Sequence, residues 1–68
     1  MLSKYKMNVF QSTINGQYYW NIQAKNGELV NQSEGYATRQ MATKTARAVR
    51  GLNLHWSINQ LAGVHLPK

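Results

Sequence analysis

Two Asn-Gly pairs, Asn15-Gly16 and Asn26-Gly27, bracket the run Gln17–Lys25 and constrain this chain more than any other feature. An Asn-Gly pair is the strongest short-range hairpin signal, because both residues tolerate positive φ. Between the pairs, Tyr18, Trp20, Ile22 and Ala24 alternate with Tyr19, Asn21, Gln23 and Lys25. That period of two describes a strand with one apolar and one polar face. Lys6–Gln11 precedes it as a strand with Met7 and Val9 inward, and Glu28–Ser33 follows it as a third. Two tight turns joining three strands predict an antiparallel meander.

Gly35-Tyr36-Ala37 ends the sheet pattern, and Thr38 is suited to cap a helix through its hydroxyl. The spacing predicts a helix from Arg39 to Arg50. Met41, Ala42, Thr45, Ala48, Val49 and Leu52 fall on the expected packed side, and Arg39, Thr43, Arg47 and Arg50 on the other, with Lys44 at the border. Gly51 stands where a left-handed C-terminal cap belongs, with Leu52 as its hydrophobic partner. The tail carries two patterns. Leu52, Leu54, Trp56 and Ile58 alternate as in a strand, whereas Leu54, Ile58, Leu61 and Ala62 share a helical face and Ser57–Gln60 could be a capping box. Trp56 and the alternation favour a fourth strand, followed by an irregular or short extended end at Val64-His65-Leu66. The expected fold is therefore α+β in the order β-β-β-α-β: a three-stranded antiparallel meander, four or five strands with the tail, packed on one α-helix.

A chain of 68 residues is one domain, here residues 1–68 with 52–68 as a tail that forms an extra strand or a dimer arm. A domain this small has a marginal core and commonly adds a disulfide, a metal or a second subunit. There is no Cys, and His55 and His65 have no third ligand at metal-binding spacing. Self-association as a homodimer is the remaining staple. No cofactor or small-molecule substrate is expected. The start of the chain lacks the apolar run of a signal peptide, and no stretch approaches the length of a membrane span. A cytoplasmic setting is expected.

The residues quoted so far form a recognisable pattern. From Met7 to about Val49 the chain resembles the YegP-like family, small domains of unknown function often found as tandem pairs. The matching residues are Asn15-Gly16-Gln17-Tyr18-Tyr19, Ala24, Asn26-Gly27-Glu28, Ser33-Glu34-Gly35-Tyr36 and the basic Arg39 at the helix start. The resemblance implies three antiparallel strands with a helix on one face, two such units making a pseudo-symmetric whole. The family normally carries basic residues where this chain has Asn21 and Gln23. It brings no established activity.

Charge supplies the functional expectation. Eight Lys and Arg stand against two acids, Glu28 and Glu34, for a net +6. Such a balance on a foldable chain predicts a polyanionic partner. The acid-free helix face of Arg39, Lys44, Arg47 and Arg50, joined by Gln40 and Lys25 and by a peripheral field from Lys4 and Lys6, suits phosphate neutralisation without sequence preference. Tyr19, Asn21 and Gln23, with Phe10, form a second candidate surface that could stack on and bond bases, although a two-layer domain needs that face covered. Two acids and no Cys leave almost no catalytic inventory, so a non-enzymatic binder of nucleic acid or of a nucleoprotein complex is expected. Size and charge also suit a phage-encoded inhibitor of the anti-CRISPR type acting on a host nucleoprotein machine in the host cytoplasm. A purely structural dimer module is the third reading.

Overall fold

The computed structural model describes residues 5–51 and 57–64. Strand β1 (Tyr5–Ser12), β2 (Tyr18–Ala24), β3 (Leu29–Gln32), helix α1 (Arg39–Arg50) and β4 (Ser57–Val64) follow in chain order. They form one four-stranded sheet in the spatial order β3-β2-β1-β4 with α1 across β1 and β2. The α+β class and the order β-β-β-α-β are those expected, and the meander and helix lie where the sequence places them.

The hairpins form for a somewhat different reason than two positive-φ residues. Within these turns only the glycines take positive φ, 77° at Gly16 and 89° at Gly27, and no described non-glycine residue does. Each Asn instead folds its side chain back on the loop. Asn15 Oδ1 accepts the Gln17 N–H and Asn26 Oδ1 accepts the Glu28 N–H, both at 2.9 Å. These Asx turns stand in for a backbone turn. The loops therefore run to four and three residues, closed by Ser12 N–H to Gln17 O and by Ala24 N–H to Glu28 O.

The core occupies the helix-facing side of the sheet. Met7, Val9, Trp20 and Ile22 alternate along β1 and β2 and pack on Ala42 and Ala46 of α1, with Tyr5, Tyr18, Tyr36 and Ile58 at the rim. Thr38 caps the helix by accepting the Met41 N–H at 3.2 Å, and Gly51 ends it with its N–H on Arg47 O.

Two expectations are corrected. The fourth strand is described as Ser57–Val64, so Val64 is part of it rather than of an irregular end, and the part of the alternation before Ser57 lies outside the described residues. It runs parallel to β1, beginning with Ser57 beside Lys6. Within the single chain β4 pairs with β1. Leu52, Leu54, His55, Trp56, His65, Leu66 and Lys4 lie outside the described residues. The second correction concerns the helix. Ala42 and Ala46 define its buried line, whereas Met41, Ala48 and Val49 are exposed. The sheet surface is already filled by Trp20 and Met7, so small alanines make the closest approach and the larger apolar side chains are displaced to the flank.

Candidate nucleic-acid interface

The turned helix splits the expected basic face in two. Gln40, Lys44 and Arg47 are exposed and, with Thr43, line one shallow surface depression on α1. Arg39 and Arg50 are half-buried on the side that approaches the sheet. The arc predicted from helical periodicity is real, but it straddles the border between packed and solvated surface.

Arg39 is held firmly by the fold. Its Nη1 donates to the Val9 carbonyl at 3.3 Å and to Gln60 Oε1 at 3.0 Å. Its guanidinium lies 5.3 Å from the Tyr18 ring centroid, a cation–π distance. Gln60 completes the tie by donating from Nε2 to Thr43 Oγ1 at 2.9 Å. One arginine thus connects α1, β1, β2 and β4. Lys44 and Arg47 lie farther round toward the solvent-exposed side of the helix, and no acid occurs along α1. Glu28 and Glu34 are exposed in the loops flanking β3. Lys25 is exposed in the β2–β3 turn, and Lys6 is exposed on β1.

The second candidate surface is not an open stacking platform. Tyr19 and Asn21 are each only 6% exposed, and Gln23 is half-buried. Phe10, fully buried, stacks on Tyr19 with centroids 5.9 Å apart. Asn21 and Gln23 join an amide network across the sheet. Asn8 Nδ2 donates to Asn21 Oδ1 at 3.0 Å and Gln23 Oε1 at 3.2 Å, while Asn8 Oδ1 accepts from Asn59 Nδ2 at 3.2 Å. These amides satisfy one another, so burying them costs less than their polarity suggests. The pairing of Asn8 with Asn59, a long way along the chain, had no signal in the sequence.

The loop signature also has a structural occupation. Tyr18 and Tyr36 exchange backbone hydrogen bonds at 2.8 Å in both directions. Ser33 N–H donates to Trp20 O while Ser33 Oγ accepts the Trp20 N–H. Asn15 Nδ2 donates to the Tyr19 hydroxyl at 2.8 Å. A Cβ at Gly35 would run into Gln17 Oε1 and meet the Tyr19 hydroxyl at 3.0 Å. Asn15, Gln17, Tyr18, Tyr19, Ser33, Gly35 and Tyr36 therefore knot the β3–α1 connection onto the first hairpin. They present no shared reactive centre. Among the described residues no group of three His, Asp or Glu could hold a metal, and no described helix is long and apolar enough to cross a membrane.

Comparison with known proteins agrees with this pattern of residues. The family model described as a domain of unknown function, DUF1508, matches residues 14–52. A UPF0339 protein of Photorhabdus laumondii is 47% identical over 38 residues, which cover 56% of this chain and 33% of the relative. The match thus spans about one-third of that relative's length. No solved structure matches significantly.

Proposed function

This chain belongs to the DUF1508 family, the YegP-like domains, and on that premise we propose that it is a non-enzymatic module that grips a nucleic-acid backbone, free or within a nucleoprotein complex, through the outer arc of α1. The observation that carries this reading is the grouping of Lys44 and Arg47 with Gln40 and Thr43 around one depression, on a helix that carries no acid. Arg47 offers a planar fork for a phosphate, Lys44 a mobile point charge, and Gln40 and Thr43 neutral donors beside them. Lys25 and Lys6 add a more distant field.

An ordinary role competes for part of this charge. Arg47 and Arg50 occupy the last helical turn, where cations offset the helix dipole. Lys44 lies before that turn, and a dipole role would not bring Gln40 and Thr43 into the same depression. Because phosphates are alike along any duplex, binding of this kind is insensitive to sequence and sensitive to salt.

Titration of a fluorescent duplex from low to high salt tests the reading. Each phosphate neutralised contributes about 0.9 to the slope of log affinity on log salt, so the double variant Lys44→Ala with Arg47→Ala should lower the slope by about 2. Two duplexes of unrelated sequence should bind alike. No binding at low salt, or a slope unchanged by the double variant, overturns it.

A further inference from the structure

The two Asn-Gly pairs carry chemistry as well as turns. Asparagine is a chemically labile residue, and a glycine after it leaves the next backbone nitrogen uncrowded, having no side chain. That nitrogen attacks the asparagine side-chain carbonyl carbon, Cγ, when both are free to approach. In the folded chain each attacking nitrogen is occupied. Gly16 N–H donates to Ser12 O and Gly27 N–H to Ala24 O, both at 2.9 Å. Reaction at either site therefore waits on local opening of its loop, and the loop with fewer ties opens more often.

Both asparagines are exposed, but their loops are tied unequally. Asn15 is held at both ends of its amide, by the Gln17 N–H on Oδ1 and by the Tyr19 hydroxyl at 2.8 Å from Nδ2. Tyr19 is itself buried against Phe10. The same loop is anchored by Thr13 N–H on Val64 O, Ile14 N–H on Ser12 Oγ and Gln11 Nε2 on Gly16 O. Asn26 is held through Oδ1 by the Glu28 N–H, and no described residue accepts from its Nδ2. One side chain, Gln23 through Nε2 on Gly27 O, adds to the closure of that loop. The strand beyond it, β3, has four residues of which three are exposed, and its pairing with β2 shifts register between Ile22 and Gln23.

We propose that Asn26 is a self-modification site, converting in the folded protein to aspartate and isoaspartate while Asn15 is protected. The Gly27 backbone nitrogen gives its proton to solvent and bonds to Asn26 Cγ. The bond from Cγ to Nδ2 breaks, and the amide nitrogen takes a proton from solvent and leaves as ammonia. A five-membered cyclic imide remains. Water, the one co-reactant, adds to either imide carbonyl carbon, and the ring opens at the bond from that carbon to nitrogen. Opening at Cγ gives aspartate, and opening at the Asn26 backbone carbonyl gives isoaspartate. Either product sets a carboxylate beside Lys25 and lowers the net charge of +6 by one. Aspartate still offers an oxygen to the Glu28 N–H and keeps the turn. Isoaspartate routes the main chain through the side chain, one methylene longer, and disrupts the Ala24–Glu28 closure that leads into β3. None of this depends on what α1 binds.

The folded protein is incubated in water enriched in the heavy oxygen isotope, then digested with trypsin in ordinary water. Imide hydrolysis during the incubation leaves heavy oxygen in the new carboxyl group, so conversion during digestion is not counted. Cleavage after Lys6, Lys25 and Arg39 puts Asn15 and Asn26 on separate peptides, 7–25 and 26–39. Fragmentation assigns the labelled residue in these or in the uncut 7–39. Asn26 should take up label about tenfold faster than Asn15, a ratio equivalent to about 1.4 kcal/mol of extra opening cost. In urea the two rates should converge. Tyr19→Phe removes the acceptor of Asn15 Nδ2 and should quicken Asn15 while leaving Asn26 unchanged. If that variant misfolds, the parent's folded and urea samples still decide. Label at Asn15 as fast as at Asn26 in the folded parent overturns the proposal, as does an unlabelled Asn26 after the urea sample has converted.

Discussion

Arg39 and Arg47 stand on one helix with the same chemistry, and their surroundings give them different work. Arg39 satisfies two acceptors and lies over an aromatic ring at a half-buried site. Removing it leaves the Val9 carbonyl and Gln60 short of a donor, and a cation–π contact is lost. Arg39→Met keeps the apolar stem and should cost about 1–2 kcal/mol, from a hydrogen bond worth about 1 and a cation–π contact worth about 0.5–1. Lys44→Ala and Arg47→Ala, at exposed sites, should stay within about 0.5 kcal/mol of the parent in the same urea titration. Equal losses at positions 39 and 47 would mean that Arg39 is not the tie described above. Asn8 offers a second residue-scale test. Asn8→Asp removes two donated hydrogen bonds and sets a carboxylate against the oxygens of Asn21 and Gln23. Burial and those oxygens raise the introduced group's folded pKa above its unfolded value of about 3.9. The folded state then binds the proton more tightly than the unfolded state, so the variant should be closest to the parent at about pH 3 and lose stability as pH rises through that range. A pH-independent deficit would show that the amide network does not sense charge.

The elements were legible in the sequence where a local rule set them. Alternation fixed β2, and the Thr38 cap with the Gly51 stop fixed α1 to its terminal residues. Thr38→Ala should therefore cost about 1 kcal/mol by thermal melting, and no loss would mean that the turn before α1 holds the helix start by itself. Less was legible where tertiary packing chose between local options. Both helix flanks satisfy a 3.6-residue period, and the bulk of Trp20 and Met7 beneath the helix selects Ala42 and Ala46 as the close-contact line. The Arg39–Arg50 arc was thus read in the right place but rotated against the sheet. The described start of β4 at Ser57 goes with its pairing beside Lys6 of β1, which no pattern within the tail itself encodes. Tyr19, Asn21 and Gln23 illustrate the same limit. Their alternation is that of an outward polar face, but the amide partners Asn8 and Asn59 that tie it together come from strands adjacent only after folding.

At the scale of the molecule, the decisive quantity is how little core one copy owns. The helix-side cluster has six members, two of them alanines, with Phe10 and Tyr19 buried on the other face, and a domain near this size buries only about 60% of its unfolded surface. There is no disulfide to restrain the unfolded chain. Pairing of two copies, the homodimer expected from the sequence, would add apolar burial to this core and make folding and pairing linked equilibria. Mass action then makes the melting midpoint depend on concentration. A tenfold rise in chain concentration favours a dimer over unfolded chains by about 1.4 kcal/mol, about 0.7 per chain. For a domain of this size that is an upward shift of about 3–6 °C in midpoint. High salt should raise the parent's midpoint further by screening repulsion between two copies that each carry +6. A parent midpoint that ignores concentration would mean that one copy's core suffices.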